Sequence, residues 1–153
     1  MKRTIPVLLV LALLVCLPGS GSCEVSADVI LGQWYTKDNE AVVEIYKEGD
    51  TYAGKIVWLA ESVATDENGA PVVDANNPDP EKAKQPVLGM TLAHGFSHVG
   101  GNDWENGHIY DPDNGKTYKC LMKLKKGGKQ LKVRGFIGVS LLGRNEYWTR
   151  KGL

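Results

Sequence analysis

His94 and His98 stand four residues apart, and His108 follows ten residues later. On a helix, such an i, i+4 pair of imidazoles shares one face and can hold a transition metal. Residues 87–102 are instead glycine-rich and extended in character, and strand residues four apart lie roughly 13 Å from one another. No cysteine is placed nearby to complete a ligand set, and His108 can join only through folding, so a metal site is not expected. Asp74, Asn76, Asn77 and Asp79 resemble a calcium loop in composition alone. The sixth place holds Asp79 where the loop needs glycine, and the twelfth holds Gln85 where it needs glutamate. Asn and Asp side chains satisfy their own backbone in turns, which is the simpler reading. Glu44, Glu105 and Glu146 are the remaining candidate acids, and Glu44 and Glu146 occupy strand-like stretches where they most simply face water. No Gly-x-Ser-x-Gly elbow, phosphate loop or nucleophile–base pair is present. The expectation is a protein that is not an enzyme, with no catalytic residue, no metal and no cofactor. Catalysis through His94 or Glu44 ranks behind every binding role.

The elements that must position these residues are strands. Residues 116–124 and 130–138 alternate apolar and polar around Gly127-Gly128. Tyr118, Cys120, Met122 and Leu124 share one face of the first stretch, and Leu131, Val133, Gly135 and Ile137 share one face of the second. Lysines fill most of the opposite positions, so the pair reads as a β-hairpin with one wet and one dry face. Earlier stretches repeat the pattern. Gly32-x-Trp34 opens a strand, Val43 and Ile45 alternate with Glu44 and Tyr46, and Tyr52, Gly54, Ile56 and Trp58 share a face on the return. Gly54 within a strand signals a bulge or bend. Residues 87–96 form another strand with Leu88, Met90, Leu92, His94 and Phe96 on one face, followed by a glycine-rich turn at 97–102. Residues 104–110 and 144–150 complete the set, with Asn114-Gly115 as a strong turn. Residues 61–86 are rich in turn formers and read as a long loop near a barrel entrance, with a short helical turn at 79–84.

This gives an all-β domain of about eight antiparallel strands joined mostly by tight turns, which closes its edges as an up-and-down barrel. The lysine-rich wet faces and the lack of an outward apolar band argue against an outer-membrane barrel.

The N-terminus stands apart. Lys2 and Arg3 precede an apolar run at 5–17, and Pro18-Gly19-Ser20-Gly21-Ser22 breaks it. This is the pattern of a secretory signal peptide, and the run is too short to span a membrane. Val25-Ser26-Ala27 fits the cleavage site, so residues 1–27 are expected to be removed and residues 28–153 to form one domain. The protein is expected to be exported, periplasmic or secreted. Lipoprotein processing at Cys23 is disfavoured because Ser20 replaces the usual leucine. The whole chain carries 18 Lys+Arg and 18 Asp+Glu; losing Lys2, Arg3 and Glu24 leaves 16 and 17, a net of −1. That balance argues against a nucleic-acid partner. The mature chain would hold Cys120 alone, on a dry strand face, and so no internal disulfide.

Several runs together resemble the uncharacterised bacterial domain-of-unknown-function family numbered 2147. They are Gly32-Gln33-Trp34; Val43-Glu44-Ile45 with Gly54-Lys55-Ile56; residues 74–80; Leu88-Gly89; residues 107–112; residues 115–118; residues 131–135; and Gly143-Arg144 through Trp148-Thr149-Arg150. The resemblance implies an exported, lipocalin-like (calycin-like) barrel with no settled reaction or ligand. It also implies a pairing typical of lipocalins, in which an arginine at the end of the last strand stacks on the tryptophan of Gly-x-Trp and closes the barrel base. Here those residues are Arg150 and Trp34.

The functional expectation is a lipocalin-like binding module that holds a small hydrophobic or amphipathic ligand within the barrel. Tyr52, Trp58, Met90, Phe96, Tyr118 and Met122 are the candidate ligand-binding residues. The competing expectation is an envelope structural or protein-interaction module whose barrel is filled by its own side chains.

Overall fold

The computed structural model describes residues 25–152. The proposed signal segment lies almost wholly outside the described residues. The chain forms eight strands: β1 (Gly32–Tyr35), β2 (Ala41–Glu48), β3 (Thr51–Leu59), β4 (Thr91–Gly100), β5 (Asp103–Asp111), β6 (Lys116–Lys125), β7 (Gln130–Phe136) and β8 (Arg144–Arg150). Each pairs antiparallel with the next, and β1 meets β8 to close the barrel. The seam is narrow: Trp34 faces Arg150 and Tyr35 faces Thr149. With up-and-down order, the β1–β2, β3–β4, β5–β6 and β7–β8 connections gather at one end, here called the rim. The other end, the base, holds the 3₁₀ turn Ala27–Ile30 that precedes β1.

The lumen is filled. Trp34, Trp104, Trp148 and Phe96 are buried to 1% exposure or less. Met122, Leu131, Val133, Ile45, Ile56 and Tyr52 pack in the same cluster. Burying side chains of this size contributes about 1.5–3 kcal/mol each. The hairpin β6–β7 supplies much of this wall through Cys120, Met122, Leu124, Leu131 and Val133. Desolvation pushes the Cys120 thiol up to about 12, so it stays protonated and inert. Among the described residues, Trp104 Nε1 is the one buried side-chain donor without a partner.

Two residues leave the faces that simple alternation assigns them. Opposite β2, Val43 faces Ile56 but Val42 faces Trp58, so Val57 is skipped. This bulge turns Trp58 to the outer surface, where it is 43% exposed and packs edge-on against Tyr35 at 6.4 Å. Ile137 lies beyond the end of β7 and is 68% exposed instead of facing the lumen.

β4 also breaks its alternation. Ala93 and Phe96 both pair with inward residues, Gly54 and Tyr52, although three positions separate them. Gly95, with φ +76, absorbs the extra residue, and His94 consequently turns outward to stack on His108 at 5.5 Å. Strand β4 begins at Thr91 and runs through to Gly100, later at both ends than the pattern at 87–96 implied. Gly54 does mark irregular pairing, with register shifts on either side of it against β4. Phe96 lies directly over Gly107, leaving no room there for any Cβ.

Candidate functional site

At the base, Arg150 fastens the two ends of the described chain. Its guanidinium lies 4.1 Å from the Trp34 ring centre. Its nitrogens donate to three carbonyls: Leu31 at 2.9 Å, Val29 at 2.6 Å and Gly128 at 2.7 Å. Trp34 Nε1 donates to the Ile30 carbonyl at 3.0 Å. The planar fork of arginine suits this combination of stacking and multiple donation. Each guanidinium nitrogen is bonded to a backbone carbonyl, so the cluster acts as a structural latch.

Beside it, the Tyr52 hydroxyl donates to Asp28 Oδ1 at 2.6 Å, and Lys47 pairs with the same carboxylate at 3.0 Å. The Tyr52 hydrogen bond, then Lys47, holds Asp28 below its ordinary carboxylate range.

The other end is different. The β3–β4 connection, residues 60–90, forms a strap. It starts with a single α-helical turn, Glu61–Ala64, and contains the helical turn expected near 79–84, where Ala83 N donates to Asp79 O at 2.9 Å. Val87 is buried in the core cluster and Val72 packs against it. Polar contacts fix the strap to the β5–β6 end. Asp74, only 2% exposed, accepts from the Tyr110 hydroxyl at 2.7 Å and from Asn77 Nδ2 at 2.6 Å. Asn76 Nδ2 donates to the carbonyls of Pro112 and Asp113 at 3.0 and 3.1 Å. Gly115, with φ +68, lies so close to the Asn76 carbonyl that any Cβ there would collide with it. Three of the runs that carry the family resemblance, residues 74–80, 107–112 and 115–118, therefore meet at one contact.

Between the strap and the outer face of β4–β6 lies an open cleft of about 670 Å³. Asp74, Tyr110, His94, Thr117 and Lys82 supply polar groups to its wall, and Met90, Leu88, Pro78 and Pro86 supply apolar ones. This size and mixture suit a small ligand. The acidic run read as a turn is indeed a turn, with Asp79 N accepted by Asn77 Oδ1 at 2.9 Å. Among the described residues, no group of three or more His, Cys, Asp or Glu is arranged to hold a metal ion.

The six candidate ligand-binding residues are not brought together. Tyr52, Phe96 and Met122 are core. Trp58 is outside. Tyr118 is half-buried, its hydroxyl 3.2 Å from Asn114 Nδ2 in the β5–β6 turn. Met90 alone lines the cleft. Sequence reasoning missed Tyr110 and Thr117 as site residues and treated Asp74 only as a turn former. The available signal was that an aspartate and a tyrosine stood within separate family-like runs. Glu44 pairs with Lys55 at 3.4 Å, and Glu146 accepts from Trp148 Nε1 at 3.1 Å, so both have local structural partners.

Burial, followed by the bond to a carboxylate, pushes both Tyr52 and Tyr110 from 10.0 up to about 12. Their folded pKa values lie above the unfolded one. Their contribution is thus fully present below pH 10.0 and is lost as pH rises towards about 12. Urea midpoints measured across that window should fall with pH, and Tyr52→Phe and Tyr110→Phe should each flatten the decline. A variant whose midpoint declines as steeply as that of the wild type would refute the assignment for that tyrosine.

The closed eight-stranded antiparallel barrel, with its turn-capped base and Trp–Arg latch, has a lipocalin-like fold. A solved structure of protein HP1028 from Helicobacter pylori, described as belonging to the lipocalin family, is similar with a TM-score of 0.65. The two share 19% identity, and the match covers 79% of this chain and 82% of that one. Residues 32–150 match the model of the family described as "Uncharacterized protein conserved in bacteria (DUF2147)", and the chain belongs to that family. No curated relative matches it.

Proposed function

We propose that this is an exported, non-enzymatic binding protein that holds a small amphipathic ligand in the cleft under the strap rather than in the lumen. The cleft itself is the observation that carries the reading. It is the right size, it has apolar residues on one side, and polar groups converge on it from the strap and from three strands. The packed lumen argues against a ligand at the original interior positions. Export is supported by the N-terminal sequence pattern.

The ligand contacts would be divided. Met90 and Leu88 would cover an apolar body, while His94, Thr117 and Lys82 would meet a polar end. Tyr110 and Asp74, already bonded to each other, would hold the wall in shape. Native mass spectrometry of protein purified from a bacterial envelope tests this. The expected result is a one-to-one adduct that is released on denaturation and missing in Thr117→Trp, where the new ring fills the cleft. A bare protein mass, or an adduct that survives Thr117→Trp, overturns the proposal.

A second reading, an interaction module with a filled barrel, is favoured by one separate observation: the apolar β7–β8 connection at the rim.

A further inference from the structure

The β7–β8 connection, residues 137–143, is Ile-Gly-Val-Ser-Leu-Leu-Gly. Its four aliphatic side chains are among the most exposed large apolar groups described: Ile137 68%, Val139 61%, Leu141 85% and Leu142 80%. Scattered exposed apolar residues are ordinary, but four within six positions form a patch that needs an explanation.

The backbone at the tip of this patch is tied down internally. A 3₁₀ turn, Ser140–Leu142, pairs Leu142 N with Val139 O at 3.2 Å and Gly143 N with Ser140 O at 3.0 Å. Arg134 reaches up from β7 to donate to Ser140 O at 2.8 Å and Leu141 O at 3.1 Å. Its third arm is fixed by Asn145 Oδ1 at 2.6 Å. At Gly143 an added Cβ would come within 2.7 Å of the Gly135 carbonyl, so the tip folds tightly onto its own strand. The three carbonyls at the tip, Val139, Ser140 and Leu141, are thus bonded and can enter the headgroup–acyl boundary without being stranded. No charged side chain occurs within 137–143, and the charged residues that flank it in sequence, Arg134 and Arg144, are both cationic. Lys119, opposite Phe136 on β6, adds a third positive charge near the root of the loop.

We propose that this loop docks the barrel, rim first, on an anionic lipid bilayer. The four aliphatic side chains enter the headgroup–acyl boundary, and Arg144 and Lys119 lie against the anionic surface. A protein partner would require a complementary groove but would not require the loop's carbonyls to be pre-satisfied. The lipid reading uses the apolar tip, its three bonded carbonyls and the cationic residues at its root. Docking by the rim would also bring the strap cleft to the membrane side, because both arise from connections at that end of the barrel.

The test is vesicle flotation of the full chain. The vesicles are phosphatidylcholine alone, or phosphatidylcholine with about 30 mol % phosphatidylglycerol. Wild type should float with the anionic vesicles, less with the neutral ones, and less again in high salt. Leu141→Glu/Leu142→Glu should reduce the bound fraction at least about tenfold. Val99→Glu, at an exposed apolar position on the base side, should leave it unchanged. All variants share the same N-terminal segment, so the differences between them read the loop. The substituted side chains are exposed, and an unchanged melting curve shows that the fold persists. Failure of wild type to float, equal flotation of the double variant, or an equal loss in Val99→Glu overturns the proposal. So does a concentration-dependent dimer that Leu141→Glu/Leu142→Glu abolishes, because the patch would then bind a second copy. A bare mass in the ligand experiment leaves this result untouched.

Discussion

Arg150→Ala is expected to lower the unfolding free energy by about 3 kcal/mol, the largest effect of any single truncation outside the lumen. The arginine donates to three carbonyls from two separate segments, the turn Ala27–Ile30 with its exit at Leu31 and the β6–β7 turn, and its plane covers Trp34. Removing it strips three charge-assisted hydrogen bonds and uncovers an indole that is fully buried. The seam is only two residue pairs wide, and one of them is Trp34 with Arg150. Neighbouring contacts therefore cannot compensate. Arg150→Lys should recover little, because a lysine keeps the charge but cannot stack flat and reach three acceptors at once. Urea denaturation of both variants checks this. A loss below about 0.5 kcal/mol, in the range of an ordinary surface change, would show that the latch is incidental.

Asp74→Ala should have the second largest effect, but a local one. It leaves the Tyr110 hydroxyl and the Asn77 amide without their shared acceptor. That costs about 2 kcal/mol, or roughly a thirtyfold rise in the population of the detached strap. Limited proteolysis within residues 60–90 should accelerate accordingly, while the melting temperature of the barrel moves by only a few degrees. Asp74→Asn should recover part of the loss. Asn77 Oδ1 is committed to Asp79 N, so Asn77 Nδ2 still faces position 74, where the new amide oxygen accepts from it while the amide nitrogen donates to the Tyr110 hydroxyl oxygen, without the carboxylate's charge. Unchanged cleavage in Asp74→Ala would mean that Val72 and Val87 alone hold the strap down.

The parts legible in the sequence were those with an unbroken period of two. The β6–β7 hairpin alternates without a bulge across seven residue pairs, and its dry face is the barrel wall up to Val133. The eight strands and their up-and-down order followed from the same rule repeated. Errors appear where a single residue is skipped. One bulge at Val42/Val43 reverses Trp58, and one left-handed glycine, Gly95, reverses His94. Each slip puts the residues on its two sides out of phase, so Phe96 after Gly95 is buried as the alternation implied while His94 before it faces outward. Ile137 was misplaced for a different reason: the alternation continues in the sequence for one residue after the ladder has ended.

The cleft was less legible than the fold. Its walls come from residues 74–91, 94, 110 and 115–117, brought together by long-range contacts that periodicity does not encode. Asp74 looked like a turn residue and is one, since Asn77 N donates to its carbonyl at 2.9 Å. Its carboxylate does a second job that only the position of Tyr110 reveals. Aromatic chemistry suggested ligand contacts, yet Tyr52 and Phe96 fill the lumen and Trp58 lies outside it.

The narrow seam also sets the order of assembly. Each of the other strand pairs joins neighbours in the sequence and can zip up as soon as its hairpin exists. The β1–β8 pair joins Trp34 to Arg150, which are separated by almost the whole barrel. Until Arg150 is available, β1 lacks its seam partner and Trp34 lacks its cover. The entropic cost of this last closure falls on the step that completes the fold. A chain emerging N-terminus first would therefore remain an open, unlatched sheet until its last strand arrived.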